Sequence, residues 1–260
     1  MNKEICVITF TVDRVPLLIR CIRSVLLQDL PVRQLIFSEN DEQLMQDKRL
    51  DFCRTTKGNT SIEFLPLEGL PHQGPSSPRM AVLRNHSLSF VREKYVCFLD
   101  DDNEMEPGHL RSLIAVLEQE QVVAAYSWRT LLYADGSHFD GRSYPWHSNE
   151  TEAYKRWKWC VEAGVMVQGK SIMYDGPVTV PDPMGLATVD MNEWLFLTDK
   201  LKQVGMNFDF SEKDRIDRVG EDDKLFARIR VLGLPIAGSG MATIRYYLGG
   251  VSNYRINQVD

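Results

Sequence analysis

Long apolar runs are missing from this sequence. No segment of its 260 residues approaches the ~18–20 apolar positions that a membrane-crossing helix needs. A signal-peptide stretch is missing too, because the N-terminus enters a strand pattern at once. The expected address is therefore the cytoplasm, with peripheral contact at the inner membrane face as a variant of it. Cysteine is sparse. Cys6, Cys21, Cys53, Cys97 and Cys160 are odd in number and widely spaced, which predicts small buried thiols in a reducing compartment, not a disulfide framework or a zinc cluster. A basic excess is also absent. Thirty Lys and Arg stand against 36 Asp and Glu, a net charge of -6, which argues against a polyanion-coating protein, and no nucleic-acid partner is expected. The chain shows no internal repeat and no low-complexity linker. What remains is ordinary: 43% apolar and 25% charged residues, over a length that suits one large domain or two small ones.

Tyr95-Val96-Cys97-Phe98-Leu99, followed by Asp100-Asp101-Asp102-Asn103, stands out from that background. A short apolar run between polar flanks predicts a buried strand, and this one ends in adjacent carboxylates. Like charges this close need solvent, raised pKa values or a cation. Open α/β sheets place ligands beyond the carboxyl ends of their strands, where oxygen-rich clusters hold Mg2+ or Mn2+ together with substrate phosphate. A solvated acidic turn leading into a helix cap is the other reading of the same residues.

Residues 5–10 predict a strand. Leu17, Leu18, Cys21, Ile22, Val25 and Leu26 predict an amphipathic helix, with Asp13 placed to cap it and Pro16 in its first turn. A second strand over residues 34–37 ends in Ser38-Glu39-Asn40-Asp41. Strand, helix and strand with polar loops beyond both strands predict a right-handed crossover and a parallel pair. Residues 61–66 read as a short strand, 69–78 as a loop of turns, and 78–94 as a helix containing Arg84 and Asn85. Arg84 is either a surface ion-pair partner or a group facing the ligand crevice. Pro107 opens a helix that buries Leu110, Leu113, Ile114 and Leu117. Residues 122–128 follow as a strand, and the chain turns through Tyr133-Ala134-Asp135-Gly136.

From 138 to 159 the periodicity fades among aromatic residues, which either stack on flat sugar faces or cover a sheet edge. The histidines there show no metal spacing with Cys160. Residues 161–168 and 177–180 read as strands, and 187–191 lead into Glu193-Trp194-Leu195-Phe196-Leu197. Thr198 is placed to cap a short helix containing Leu201 and Val204. Gly220-Glu221-Asp222-Asp223 opens a helix whose apolar spacing runs through Leu225, Phe226, Ile229 and Leu232, so its carboxylates occupy the first turn, where the helix dipole favours them. Gly233 ends that helix and Pro235 begins the next segment. Residues 236–242 and 244–247 lead to Gly249-Gly250-Val251-Ser252, a turn able to close over a ligand.

In their order these features resemble the family-2 glycosyltransferases, which have the GT-A fold. The family's Thr-aromatic-Asn-Arg loop is similar to Thr11-Val12-Asp13-Arg14, with Asp13 where asparagine is usual. Its paired base-reading aspartates fall at Ser38 and Glu39, which leaves Glu39 as the base contact. Its Arg-Asn helix resembles Arg84-Asn85. Its Phe-Leu-Asp-x-Asp motif is similar to Phe98-Leu99-Asp100-Asp101-Asp102, and its Gly-Glu-Asp motif to Gly220-Glu221-Asp222. The Gly-aromatic-Asp segment is echoed only loosely by Gly205, Phe208 and Asp209. The histidine often found beyond the Glu-Asp helix is missing, and Tyr246 or Tyr247 lies near its place. Residues 1–120 and 187–233 carry the similarity, while 128–186 have no close motif, as befits a family whose acceptor region varies.

The resemblance implies one catalytic domain over residues 1–260, a GT-A Rossmann-like three-layer α/β sandwich with a central mixed, mostly parallel sheet. Residues 1–120 would bind the nucleotide sugar, and 121–260 would supply the acceptor site and the base, with a variable excursion over 128–186. The implied reaction, in carbohydrate biosynthesis, is metal-dependent and inverting. It moves a sugar from a nucleoside-diphosphate sugar to an acceptor hydroxyl on a carbohydrate, glycolipid or small-molecule glycoside. Asp102, assisted by Asp100, would hold Mg2+ or Mn2+. Thr11, Asp13, Arg14, Glu39, Arg84, Asp100 and Asp101 would form the nucleotide-sugar pocket, with Asp101 toward the donor sugar. Asp222 would be the general base and Asp223 a cap. Glu221 and Trp194 would border the acceptor, although Trp194 equally suits the core. Two other readings stay open, a non-catalytic nucleotide-sugar or glycan-binding protein and a sugar-phosphate nucleotidyltransferase. The second is disfavoured because residues 8–16 hold no glycine, and Arg14 is their sole basic residue.

Overall fold

Strands that are mostly apolar on both sides have to be buried on both faces, and β1 (Ile5–Thr11) and β4 (Tyr95–Phe98) of this chain are of that kind. The computed structural model describes residues 4–249 apart from 13, 40, 56–58, 68–75 and 218. Its strands are β1 (Ile5–Thr11), β2 (Val32–Ser38), β3 (Ser61–Pro66), β4 (Tyr95–Phe98), β5 (Glu104–Met105), β6 (Ala124–Leu132), β7 (Ile172–Met173), β8 (Trp194–Leu197) and β9 (Ile236–Tyr247). Its helices are α1 (Val15–Leu26), α2 (Asp41–Gln46), α3 (Asp51–Thr55), α4 (Ser76–Ser87), α5 (His109–Glu120), α6 (Glu150–Glu162), α7 (Thr198–Val204), α8 (Glu212–Asp217) and α9 (Glu221–Val231). Among these described residues no helix is long and apolar enough to cross a membrane.

One sheet takes the strands in the order β3-β2-β1-β4-β8-β6-β9-β5, with β7 beside β6. The first four run parallel, as do β6 and β9, while β8 is antiparallel to both of its neighbours. Side chains alternate across it with period two. Cys6, Ile8, Val96, Phe98, Trp194 and Phe196 pack on one face, under Leu83 of α4, Leu201 of α7 and Leu225, Phe226 and Ile229 of α9. Ile5, Val7, Tyr95, Cys97 and Leu195 pack on the other, under Cys21 and Val25 of α1 and Leu110, Leu113 and Leu117 of α5. Each such side chain, fully buried, contributes about 1.5–3 kcal/mol. The result is the expected three-layer α/β sandwich around a mixed sheet. Cys6, Cys21, Cys97 and Cys160 are buried thiols, as expected. Burial pushes Cys160 up to about 12.

Register places the site. Thr11 lies opposite Ser38 and Ile8 opposite Phe98, so the carboxyl ends of β1, β2 and β4 share one edge. Residues 100–102 emerge there. Antiparallel β8 pairs Val96 with Phe196, which brings the residues just before it to that same edge.

Several expectations need correction. Residues 161–168 and 177–180 are not strands; α6 occupies Glu150–Glu162, and beyond it only Met166 forms a single bridge, to Met173. The side chain of Asn149 accepts the Glu152 N–H at 3.0 Å and caps this helix. Only Ala153 and Cys160 of α6 are buried, so its composition shows almost no apolar stripe. Val165 and Met166 instead fill a satellite core with Leu131, Phe139 and Met173. The expected helix over 78–94 stops at Ser87 and continues as a 3-10 turn over Leu88–Phe90. Leu232, expected on the apolar side of α9, follows its last turn and is exposed. The expected cap Asp13, most of the 69–78 loop, and the turn from Gly250 onward lie outside the described residues.

Candidate active site

The three adjacent aspartates do three different things. Asp101 continues the side of β4 that carries Cys97 and Leu99, and it is fully buried. It accepts the Thr11 hydroxyl at 2.6 Å and forms an ion pair with Arg14, whose Nε donates to it at 3.2 Å. It is thus an anchor between β1, α1 and the loop, and does not face a donor sugar as expected. Arg14 also donates from Nη1 to Asp102 Oδ2 at 2.9 Å, while Arg20 Nη2 holds the Asp102 carbonyl at 2.6 Å. Burial, and then the charge of Asp100, push the Asp102 carboxyl up to about 6. Asp100 is the most open of the three, with 36% of its side chain exposed.

Arg84 corrects another expectation. Its side chain is only 4% exposed and is neither a surface ion-pair partner nor a group open to a phosphate. From the last turn of α4, Nη2 donates to Asp100 Oδ1 at 3.0 Å, and Nη1 is bonded to Glu221 at the start of α9. One guanidinium therefore joins the two acidic motifs, and Glu221, expected to border an acceptor, is paired with Arg84. Beside it, Asn85 Oδ1 accepts the Met206 N–H at 2.9 Å and ties α4 to the segment after α7.

The first turn of α9 is densely acidic. Asp223 caps it, its Oδ2 accepting the Gly220 N–H at 2.7 Å, and Asp222 Oδ1 accepts the Asp223 N–H at 3.0 Å. A Cβ on Gly220 would collide with the Asp222 carboxylate. Burial, followed by the charges of Asp223 and Glu221, pushes Asp222 well above the usual carboxylate range. That makes it a stronger base than a surface aspartate.

Trp194 is not at the acceptor. Its ring is fully buried against Phe196 and Tyr126, and its Nε1 donates to the Val189 carbonyl at 3.2 Å. Glu39, just beyond β2, lies 4.0 Å from Arg79 of α4. Several site residues were not anticipated. Asp190 and Asn192 precede β8, and Asn192 holds Asp100. Arg129 of β6 is buried, pairs with Asp190 at 2.5 Å and with Asp175 at 3.2 Å, and lies against the rings of Trp146 and Tyr246, which also contact each other. Tyr246 and Tyr247 end β9, and Tyr246 lies against Arg129. Burial and then the charge of Asp190 push its phenol up, with Asp102 and Asp100 adding to the shift. The pattern Asp190-x-x-Glu193 is a legible capping box, with Glu193 Oε2 accepting the Asp190 N–H at 2.8 Å.

Could these residues hold a divalent cation? Asp100 and Asp102 offer only hard carboxylate oxygens, which suit Mg2+ or Mn2+, ions that take one or two carboxylates and complete their shell with water and phosphate. Among the described residues no group of three or more His, Cys, Asp or Glu forms a metal cage, so water and phosphate would complete the shell. The raised Asp102 carboxyl marks negative charge in need of compensation, which a cation relieves. The donor set fits.

Residues 76–173 match the family model Glycosyl transferase family 2. No curated protein matches the chain in sequence. Among solved structures, S. aureus TarS is similar with a TM-score of 0.56 at 13% identity over 94% of this chain and 37% of its own. TarS 1-349 in complex with UDP-GlcNAc gives 0.56 at 13% identity, over 99% of this chain and 61% of that one. A mannosyltransferase, PcManGT from Pyrobaculum calidifontis in complex with GDP-Man and Mn2+, gives 0.57 at 12% identity, covering 97% and 59%. The chain thus spans less than two thirds of each of these structures. Residues 76–173, which hold Arg84, the aspartate cluster and β6, are a glycosyl transferase family 2 match within a chain that has the GT-A fold.

Proposed function

We propose that this protein is an inverting glycosyltransferase that moves a sugar from a nucleoside-diphosphate sugar to an acceptor hydroxyl. The observation that carries the reading is the buried Arg84 bridge, which ties Asp100 to Glu221 although Arg84 and Glu221 lie 137 positions apart in sequence. It brings a leaving-group cluster at 100–102 beside a base-bearing helix start at 221–223. The family match over 76–173, and similar structures that carry UDP-GlcNAc or GDP-Man with Mn2+, support it.

Asp102 and Asp100 would hold the divalent cation. When bound, it offsets the charge of the diphosphate and of the departing nucleoside diphosphate. Thr11 and Arg14 fix Asp101, and Arg14 also orients Asp102. Glu39, just beyond β2, would contact the base. Asp222 takes the proton from the acceptor hydroxyl. The acceptor oxygen then bonds to the anomeric carbon as the bond from that carbon to the diphosphate oxygen breaks, with the electron pair leaving on the diphosphate. One displacement inverts the anomeric centre. The acceptor is a carbohydrate, glycolipid or small glycoside.

The test is Asp222→Asn, after nucleotide sugars have been screened for metal-dependent hydrolysis and transfer. Donor affinity should persist while transfer falls by ~10²–10⁴-fold, and NMR of the wild-type product should show an inverted anomer. Near-normal turnover of the variant removes Asp222 from the base role, and a retained anomer overturns the single displacement.

A further inference from the structure

The segment before β8 carries an amide with no structural task of its own. Residues 191–193 form a 3-10 turn whose capping is complete without the Asn192 side chain: Asp190 Oδ1 accepts the Asn192 N–H at 3.0 Å, and Glu193 Oε2 accepts the Asp190 N–H at 2.8 Å. Yet the Asn192 side chain is 1% exposed and both of its ends are used on one residue. Its Oδ1 accepts the Asp100 N–H at 2.7 Å, and its Nδ2 donates to Asp100 Oδ2 at 2.9 Å. The second Nδ2 hydrogen goes to Asp190 Oδ1 at 2.7 Å. These partners settle the amide orientation, since a flipped amide would set its N–H groups against the Asp100 N–H and its oxygen against two carboxylates.

We propose that Asn192 is a positioning residue that fixes Asp100 for a divalent cation. The proposal rests on the glycosyltransferase reading above. Main chain and carboxylate of Asp100 are clamped by one side chain, while Arg84 takes the other carboxylate oxygen at 3.0 Å. Asp190 is in turn held by Arg129 at 2.5 Å, and the Arg129 guanidinium lies 5.1 and 5.0 Å from the ring centres of Trp146 and Tyr246. The clamp is thus backed by a buried cation, and Trp146 of the aromatic excursion packs on that cation.

The experiment is a titration of the full chain with Mn2+ alone, following loss of the free-ion EPR signal. Asn192→Ala should weaken Mn2+ binding by ~10–100-fold. In an Asp100→Ala background the same change should cost nothing further, because Asn192 acts through Asp100. Asn192→Ser, which leaves less empty volume, should show the same loss and carries the test if the alanine variant does not fold. Folded variants that bind Mn2+ like the wild type overturn the positioning role alone, as do losses that multiply in the double variant. A wild-type protein that binds no Mn2+ overturns the role together with the metal-dependent reading beneath it.

Discussion

Arg84 is where single-residue chemistry matters most. A guanidinium taken almost wholly out of water is tolerable only because two carboxylates meet it, and those carboxylates face each other if it is removed. Arg84→Ala should therefore destabilise the protein by about 3–5 kcal/mol, measured by denaturant unfolding. Arg84→Lys should recover only part of the loss, because an ammonium cannot reach two carboxylates with a rigid fork. Unchanged stability of the alanine variant would show the bridge to be unimportant. At this scale the sequence was partly legible. Three identical aspartates in a row look equivalent, and the sequence did not tell them apart by burial; the structure sets Asp101 on the face of Cys97 and Leu99. Arg84 was legible as a residue and not as a buried tie, because its partners lie 16 and 137 positions away.

Elements that announce their own caps or stripes were readable, and α6 shows the opposite case. It is a helix of aromatic and charged residues with little buried surface, and its best local signal was the Asn149 cap three residues ahead of Glu152. Helix α5 illustrates how an element is pinned to the sheet. Its first residue, His109, is fully buried and shares a hydrogen bond with the Thr243 hydroxyl of β9 at 2.7 Å. Burial pushes this imidazole down to about 3, whereas an unfolded histidine takes up its proton near about 6.5. Between those values the unfolded chain holds more protons, so this contribution is complete above about 6.5 and is lost as pH falls toward 3. His109→Gln should lower stability at pH 7 but flatten the decline between pH 6 and 4. Denaturant curves at several pH values read both effects, and an equal decline in the two proteins would refute the assignment. The buried acids of the site shift upward and act in the other sense, so the difference between the two proteins isolates His109.

Across the whole molecule, the fold gathers acidic groups from opposite ends of the chain around the guanidinium groups of Arg14, Arg84 and Arg129. Asp102, Glu221, Asp222 and Asp223 are all held above the usual carboxylate range, each chiefly by burial. A ligand that binds only the folded state and adds positive charge there should stabilise it. Mn2+ at ~100 times its dissociation constant should add about 2.7 kcal/mol and raise Tm accordingly. Asp102→Ala should abolish most of that rise. An equal rise in the variant would place the cation elsewhere.

The sequence by itself determined the early strands, the helices between them and the two acidic motifs, because alternation, helical spacing and capping residues act over a few positions; the sandwich was implied by the family resemblance. The sequence also carried enough of a family pattern to suggest the chemistry. Only the tertiary structure decided which aspartate is buried, that Trp194 belongs to the core, that Arg84 ties the two acidic motifs together, and that Arg129, Asp190 and Asn192 join the site. Those roles arise from antiparallel β8 entering between β4 and β6 and from α9 packing beside α4. The contacts are long-range, and partner choice across a sheet depends on register and burial, which no local pattern contains.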